Sequence, residues 1–314
     1  MRVLVVSNMA PSPDAPQRGS FVRDQVRALR ELGVEVETFD WSPGTRRYPQ
    51  ATRRIRRLLR RERFDVVHAH YGLAGWCAAL AGARPLVVTF HGTDVRHPTV
   101  GPLSRALARR GIVVAAASRA LFAPEGGRRG LPRPEGRAAV LPCGADLERF
   151  RPMLRDDACR ELGLDPAGRY LLFPASPERA VKRHDRAVAV ARASGAELLS
   201  LGSVPPAAVP LSINAAAAVL ITSDNEGFGL AAVEALACGT PVLSTPVGVV
   251  PHLLAGLEGC FVGDFDPEIW SRIAATHLDD PRQLAEGRRR AESFGALPLA
   301  ERVVATYGDA LAIA

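Results

Sequence analysis

The chain has 314 residues and a net charge of +7, and 47% of its residues are hydrophobic, a composition that excludes a disordered protein and predicts about two globular domains. No apolar run approaches the ~18–20 residues that cross a bilayer, and the apolar stretch Val3–Val6 is too short for a signal peptide. The five cysteines form no CxxC pair and no Cys/His cluster at zinc-ligand spacing, so we expect no disulfide framework, no structural zinc and a cytoplasmic location.

The positive charge is concentrated in the first half of the chain. Residues 1–150 contain 25 arginines against 13 acidic residues, a net charge of +12, whereas residues 151–314 carry a net charge of −5. This asymmetry indicates that the first half meets an anionic partner, such as a membrane surface, a phosphate-bearing acceptor or a nucleic acid.

Short apolar segments alternate with segments of helical periodicity in the first half of the chain. In chain order, the sequence predicts strand 3–7, helix 21–32, strand 34–39, helix 51–63, strand 65–70, helix 74–81, strand 86–90, helix 103–110 and strand 112–118. This alternation predicts parallel strands joined by right-handed helical crossovers in a doubly wound sheet.

A linker rich in Pro and Gly, at residues 141–152, precedes a second alternating set. This set comprises strand 170–173, helix 184–194, strands 197–201 and 219–222, helix 230–238, strand 242–245 and a helical region 267–313 broken at Pro281 and Pro298. We therefore expect an α/β protein of two doubly wound, Rossmann-like domains with a ligand-binding cleft between them. The expected domains are residues 1–150 and 151–295, with a helix over 296–314 that packs back on the first domain.

The glycine-punctuated loop that follows strand 219–222 points to a diphosphate ligand. Its glycines allow close backbone approach, and the helix behind it presents free amides and a positive dipole end. The binding residues expected here are Gly227, Phe228, Gly229 and Leu230. Glu226 and Glu234 lie at most ~12 Å apart along a helix, about the reach from the ribose of a nucleotide diphosphate-sugar to its sugar. The structural alternative is that Glu226 caps the helix and Glu234 is solvated.

Lys182 is the only lysine in a chain with 39 arginines. Its ammonium is a compact point charge that suits the crowded oxygens of a diphosphate, whereas an arginine presents a planar fork. Lys182 is therefore a candidate ligand-binding residue, with chance retention as the alternative.

The segment Glu226–Gly248 resembles the donor-binding signature of the retaining glycosyltransferases of family four, which have the GT-B fold. Further segments resemble family motifs in the expected order, namely residues 16–22, 68–72, 91–94, 141–152 and 173–182. The last of these is similar to the form found in enzymes of the teichuronic acid biosynthesis glycosyltransferase type. The resemblance covers essentially the whole chain.

The resemblance implies a retaining transferase that moves a hexosyl unit from a nucleotide diphosphate-sugar to a hydroxyl acceptor, in cell-surface polysaccharide or glycolipid synthesis. It implies that Lys182 and Arg179 neutralise the departing diphosphate, that Glu226 orients the sugar and that Glu234 holds the ribose. It also places His91 near the transferred sugar, and the turn at Gly19 directs backbone amides toward the ligand. No Asp-x-Asp motif ends a predicted strand, so we expect no metal and no cofactor besides the co-substrate.

The arginine-rich helix Arg53–Arg63 has two interpretations. It packs its apolar stripe on the sheet and solvates its arginines, or it docks on anionic lipid headgroups, which suits a lipid-linked acceptor and a peripheral position on the inner face of the membrane. Nucleic acid is not an expected partner, because only 6% of the residues are aromatic and no stacking platform is evident.

Two other functions remain open at this point: a GT-B-type nucleotide-sugar epimerase, and a non-catalytic protein that binds sugar nucleotides or polyanions. A nicotinamide-dependent dehydrogenase is disfavoured, because no GxGxxG motif follows the first strand. We further expect only one of His68 and His70 to face a given side of the sheet, and Asp94 to cap the turn after His91.

Overall fold

The computed structural model describes residues 1–13, 15–16, 18–123, 129–202 and 204–313. Gln17, in the predicted glycine loop 16–22, lies outside the described residues. The chain divides into two compact units: unit 1 is Met1–Gly144 with Ala296–Ala314, and unit 2 is Ala145–Gly295. The sequence-based division placed the boundary after residue 150.

Unit 1 is built on a sheet of six parallel strands in the order β2-β1-β3-β4-β5-β6. The strands are β1 (Arg2–Ser7), β2 (Glu35–Asp40), β3 (Val66–His70), β4 (Leu86–Phe90), β5 (Val113–Ala116) and β6 (Ala138–Val140). The helices that connect them are α1 (Ser20–Glu31), α2 (Arg47–Arg61), α3 (Gly72–Ala81), α4 (Thr93–Arg96) and α5 (Val100–Ala108). The strands β3, β4 and β5 are buried throughout, as expected for parallel strands covered on both faces.

Unit 2 has a five-stranded parallel sheet in the order β11-β10-β9-β7-β8. Its strands are β7 (Tyr170–Phe173), β8 (Glu197–Ser200), β9 (Ala218–Ile221), β10 (Val242–Ser244) and β11 (Phe261–Val262). Its helices are α6 (Arg155–Leu162), α7 (His184–Ser194), α8 (Val209–Ala215), α9 (Leu230–Ala237), α10 (Val250–Leu253), α11 (Pro267–Asp279) and α12 (Ala285–Glu292). The two parallel sheets confirm the predicted α/β class.

Some elements were not predicted from the sequence. The short strands β6 and β11 are only partly buried and carry little hydrophobic signal. The helix α8 was not predicted because prolines usually interrupt helices. Pro210 occupies the second position of α8, where a helix needs no backbone N–H donor.

The last helix, α13 (Ala296–Ala312), belongs to unit 1. Its buried residues join those of α1 in one apolar cluster over the first sheet: Ala300, Val303, Tyr307 and Ala310. The predicted helix break at Pro298 is wrong. Pro298 lies in the first turn of α13, where proline is tolerated, and the chain leaves the preceding helix at residues 293–295 instead.

The hydroxyl of Tyr307 ties α13 to the first sheet. It lies 2.7 Å from Nδ1 of His68, whose Nε2 lies 2.8 Å from Oγ1 of Thr89, and all three side chains are fully buried. A buried polar atom that loses its partner retains its full desolvation cost.

Tyr307→Phe should therefore destabilise unit 1 by about 1–3 kcal/mol, because Nδ1 of His68 loses its partner. Hydrogen–deuterium exchange of the intact chain should show faster exchange in peptides from β3 and α13. Tyr170→Phe is the matched control, since Tyr170 is a buried tyrosine of unit 2 whose hydroxyl makes no hydrogen bond among the described residues. Equal exchange in the Tyr307→Phe variant and the unsubstituted protein would contradict this role of Tyr307.

Candidate functional site

Unit 2 brings two loops with predicted ligand-binding residues together where its strand order reverses. β7 and β9 are neighbours in the sheet, although β8 separates them in sequence. Open α/β sheets bind ligands at the carboxyl ends of strands at such a switch point. The loops that leave these ends, residues 174–183 and 222–229, contain Lys182 and Glu226.

Lys182 and Glu226 form an ion pair. Nζ of Lys182 lies 2.5 Å from Oε1 and 2.6 Å from Oε2 of Glu226, and the side chains are 14% and 12% exposed. The hydroxyl of Ser223 donates to Oε1 at 2.7 Å. The two residues selected separately from the sequence therefore meet in one cluster of opposite charges.

Backbone contacts hold the two loops against each other. Oγ1 of Thr222 donates to the carbonyls of Lys182 and Arg183, at 3.0 and 2.9 Å, and the amide of Asp224 donates to the carbonyl of Val181 at 2.9 Å. Thr222 is fully buried. The backbone at Lys182 is thus fixed by the end of β9.

Two arginines flank this junction. Arg183 has a left-handed backbone, φ 54°, and its guanidinium contacts both Asp185 and Asp224. Arg186 contacts Asp224 at 2.9 Å and donates to the carbonyl of Thr222 at 3.1 Å. These acidic partners offset the arginine charges.

The glycine loop leads directly into α9. Gly229 adopts φ 104° at the helix start, and a Cβ at Gly248 would lie 2.2 Å from the carbonyl oxygen of Phe228. The amide of Val249 donates to that same oxygen at 2.7 Å. A turn that accepts only glycine therefore supports the loop. The amide of Ala232 donates to the carbonyl of Gly229 at 3.0 Å, whereas the amides of Leu230 and Ala231 precede the first bond within the helix.

The other residues predicted to bind the donor substrate lie outside the Lys182–Glu226 ion pair. Gly227 lies in the loop between Glu226 and Phe228, and Glu234 is the fifth residue of α9 and is partly buried. Arg179 is exposed, and its guanidinium makes no hydrogen bond or ion pair within the part of the chain that the structure describes. Its carbonyl accepts the amide of Lys182 at 2.8 Å, so Arg179 joins the cluster through its backbone alone.

In unit 1, His91 follows β4 and is held by its neighbours. Its Nε2 lies 3.0 Å from Nδ1 of His70. Oδ1 of Asp94 accepts the amides of His91 and Gly92 at 2.9 and 3.1 Å, and its Oδ2 accepts the amide of Gly72 at 2.8 Å. The predicted turn cap by Asp94 is confirmed. Burial raises the pKa of Asp94 to about 6, against the opposing effect of these amides.

Gly19 shapes the start of α1 close to His91. It has a left-handed φ of 68°, and a Cβ there would lie 2.4 Å from the carbonyl oxygen of Met9, so no other residue fits without a shift. Two residues later, the ring of Phe21 lies 5.0 Å from the ring of His91.

The expectation that His68 and His70 face different sides of the sheet is wrong. Residues two apart on a strand share a face, and the two rings lie 4.5 Å apart. Burial lowers the pKa of both imidazoles, that of His70 to about 3, so both are neutral near pH 7. Burial, followed by the neighbouring His70, also lowers the pKa of His91.

A segment that matches an Asp-x-Asp pattern, Asp264-Phe265-Asp266, follows the unpredicted strand β11. Oδ1 of Asp266 accepts the amides of Glu268 and Ile269, and the carbonyl of Asp264 accepts Nε1 of Trp270. This segment therefore caps α11. None of the helices among the described residues combines the length and hydrophobicity needed to cross a bilayer.

The chain matches two sequence profiles: one described as Glycosyltransferase Family 4 over residues 2–149, and one described as Glycosyl transferases group 1 over residues 187–294. D-inositol 3-phosphate glycosyltransferase from Thermobispora bispora is 28% identical over 99% of this chain and 95% of its own length. D-inositol 3-phosphate glycosyltransferase 1 from Catenulispora acidiphila is 30% identical over 79% of this chain and 73% of its own length.

Among solved structures, Anabaena Alr3699/HepE in complex with UDP-glucose superposes with a TM-score of 0.68 at 18% identity, over 98% of this chain and 99% of that one. The aligned part of this chain includes both compact units. The chain therefore belongs to glycosyltransferase family 4, and it is a glycosyltransferase of GT-B type.

Proposed function

We propose that this glycosyltransferase is retaining and metal-independent, and that it moves a hexosyl unit from a nucleotide diphosphate-sugar to a hydroxyl acceptor. The observation that carries the proposal is the Lys182–Glu226 pair at the β7/β9 switch point. One similar structure contains UDP-glucose, which supports a donor of this class.

In the proposed mechanism, the sugar–phosphate bond breaks while negative charge builds up on the departing diphosphate. When the donor binds, Lys182 exchanges its contact with Glu226 for one with the diphosphate. Lys182 and the free amides at the start of α9 then stabilise that charge. The diphosphate accepts the proton of the attacking hydroxyl, and attack on the face that it leaves retains the anomeric configuration. Glu226 orients the sugar hydroxyls, Arg179 adds positive charge, and His91 acts near the transferred sugar.

Glu234→Ala should raise the KM for the donor roughly 10- to 100-fold and leave kcat nearly unchanged, because hydrogen bonds from ribose hydroxyls to a carboxylate contribute equally before and during the reaction. Initial-rate kinetics with varied donor measure this. Glu268→Ala, an exposed acidic residue on α11, is the control. Unchanged donor KM in the Glu234→Ala variant would remove the proposed ribose role.

A panel of candidate ligands identifies the nucleotide base of the donor and the acceptor. The named relatives act on D-inositol 3-phosphate, and the basic first half of this chain suits a phosphate-bearing acceptor. Thermal-shift measurements with UDP, GDP, ADP and their sugars should select one donor, which is then tested with inositol phosphate and lipid-linked acceptors. Epimer formation from the donor alone would favour an epimerase, and binding without turnover would favour a binding protein.

We also propose that α2 docks on an anionic membrane, a position that suits polysaccharide or glycolipid synthesis on a lipid-linked acceptor. The arginines from Arg53 to Arg63 are exposed. Arg56 donates to the backbone carbonyl of Leu80, a residue that is itself 56% exposed. Positive charge thus lies beside an exposed apolar side chain, the combination that binds membrane interfaces.

Arg57→Gln with Arg60→Gln should weaken binding to anionic vesicles by about 10-fold or more, at ~1 kcal/mol for each basic residue. Co-sedimentation with phosphatidylserine-containing vesicles measures this, with phosphatidylcholine vesicles and the exposed Arg192→Gln variant as controls. Equal sedimentation of the doubly substituted protein would show that α2 only packs on the sheet.

A further inference from the structure

Three side chains that bind transition metals converge in unit 1. His70 ends β3, His91 follows β4, and Cys143 follows β6. The candidate ligand atoms of these residues all lie within 4.8 Å of one another. His70 and Cys143 are buried, and His91 is partly buried.

The hydrogen bonding of this cluster is incomplete. Nδ1 of His70 lies 3.0 Å from Nε2 of His91, but Nε2 of His70 is buried and has no hydrogen-bond partner among the described residues. Buried imidazole nitrogens are normally paired, so an unpaired one in a cluster with a thiol calls for an explanation, and ligand binding is one. Among the described residues, the thiol of Cys143 accepts one long contact, from Nε2 of Gln25 at 3.8 Å.

The donor set matches zinc in type and in spacing. Zn²⁺ binds imidazole nitrogen and thiolate sulfur at ~2.0–2.3 Å, which puts the ligand atoms of a tetrahedral site about 3.3–3.8 Å apart. The candidate ligand atoms of the cluster lie within 4.8 Å of one another, so side-chain adjustment of about 1 Å brings them into this range. Three protein ligands leave a fourth position open.

We propose that His70, His91 and Cys143 form a three-ligand site for a zinc-class divalent cation. On binding, the thiol of Cys143 loses its proton to solvent and forms a metal–sulfur bond, and each imidazole donates a lone pair. The spacings of 21 and 52 residues concealed this site from the search for zinc motifs, because the ends of parallel strands, rather than a local motif, bring the ligands together.

Occupancy of this site has a consequence for catalysis, which rests on the proposed function. A cation bound to His91 takes the imidazole away from the sugar, so zinc should inhibit transfer. Binding itself does not depend on that function, so the two are tested separately.

Titration of the full chain with Co²⁺ tests the site. We expect one equivalent to bind and produce a thiolate-to-cobalt charge-transfer band, with Zn²⁺ displacing Co²⁺. Cys143→Ala should abolish the band, whereas Cys159→Ala, which removes another buried free cysteine, should retain it. Circular dichroism verifies that each variant is folded.

Absence of the band from the unsubstituted protein, or its persistence in folded Cys143→Ala protein, would overturn the proposal. Cys143→Ser and His91→Ala provide further ligand deletions, each expected to weaken Zn²⁺ binding at least 10-fold by calorimetry. If zinc binds but leaves transfer unchanged, the metal site stands and the role of His91 in the proposed function is wrong.

Discussion

Replacement of Lys182 by alanine should lower kcat for glycosyl transfer by about 10²–10³-fold, the usual cost of removing one group that stabilises developing negative charge. The ammonium is held at the switch point by the loop after β7, with the carbonyl of Lys182 fixed by Thr222. No other lysine exists in the chain to replace it. The guanidinium of Arg179 is exposed and separate from the pair, so it restores little of the lost charge at that position.

The assay is single-turnover transfer with saturating donor, which separates chemistry from product release. Lys182→Arg should recover only part of the rate, because a planar fork cannot replace a point charge at the same place. Arg192→Ala removes an exposed charge from the neighbouring α7 and should be neutral. Full activity of the Lys182→Ala variant would refute the assigned role.

Glu226→Gln should have opposite effects on binding and on turnover. The carboxylate accepts the Lys182 ammonium through both oxygens and the Ser223 hydroxyl through one. Without its charge, Lys182 is less neutralised, so the nucleoside diphosphate should bind up to about 10-fold more tightly, the equivalent of one charge-assisted hydrogen bond. Turnover should fall by about 100-fold, because the sugar loses a group that orients it.

Calorimetry with the nucleoside diphosphate and single-turnover kinetics measure the two effects on the same preparation. Ser223→Ala is the control, since it removes a contact to Glu226 but leaves the ion pair in place. Weaker diphosphate binding together with slower turnover would indicate structural damage instead of the proposed charge balance.

The sequence predicted the strands best where burial is complete. β4 and β7 are buried at every residue and have the predicted bounds. The helix α7 also has its predicted bounds, because helical periodicity marks it in the sequence. Failures occurred where other forces decide, as at Pro298, which a helix accepts in its first turn, and at β11, whose two residues carry no periodicity.

The sequence predicted those site residues that have a distinctive composition or motif. Lys182 stood out by composition and Glu226 by its glycine loop, and the structure pairs them. Thr222 and Ser223 were missed, because a hydroxyl at a strand end has no distinctive pattern until its partners are located. The guanidinium of Arg179 is exposed because of the direction of its side chain, and residue spacing in the sequence does not give that direction.

The central claim is that the Lys182 ammonium binds the diphosphate of the donor. Calorimetric titration of the unsubstituted protein and the Lys182→Ala variant, with the nucleoside diphosphate selected by the panel and with the matching nucleoside, tests it most directly. The account predicts that the substitution weakens diphosphate binding at least 10-fold and leaves nucleoside binding unchanged, as expected for loss of a charge-assisted hydrogen bond. Equal loss for both ligands, or for neither, would contradict it.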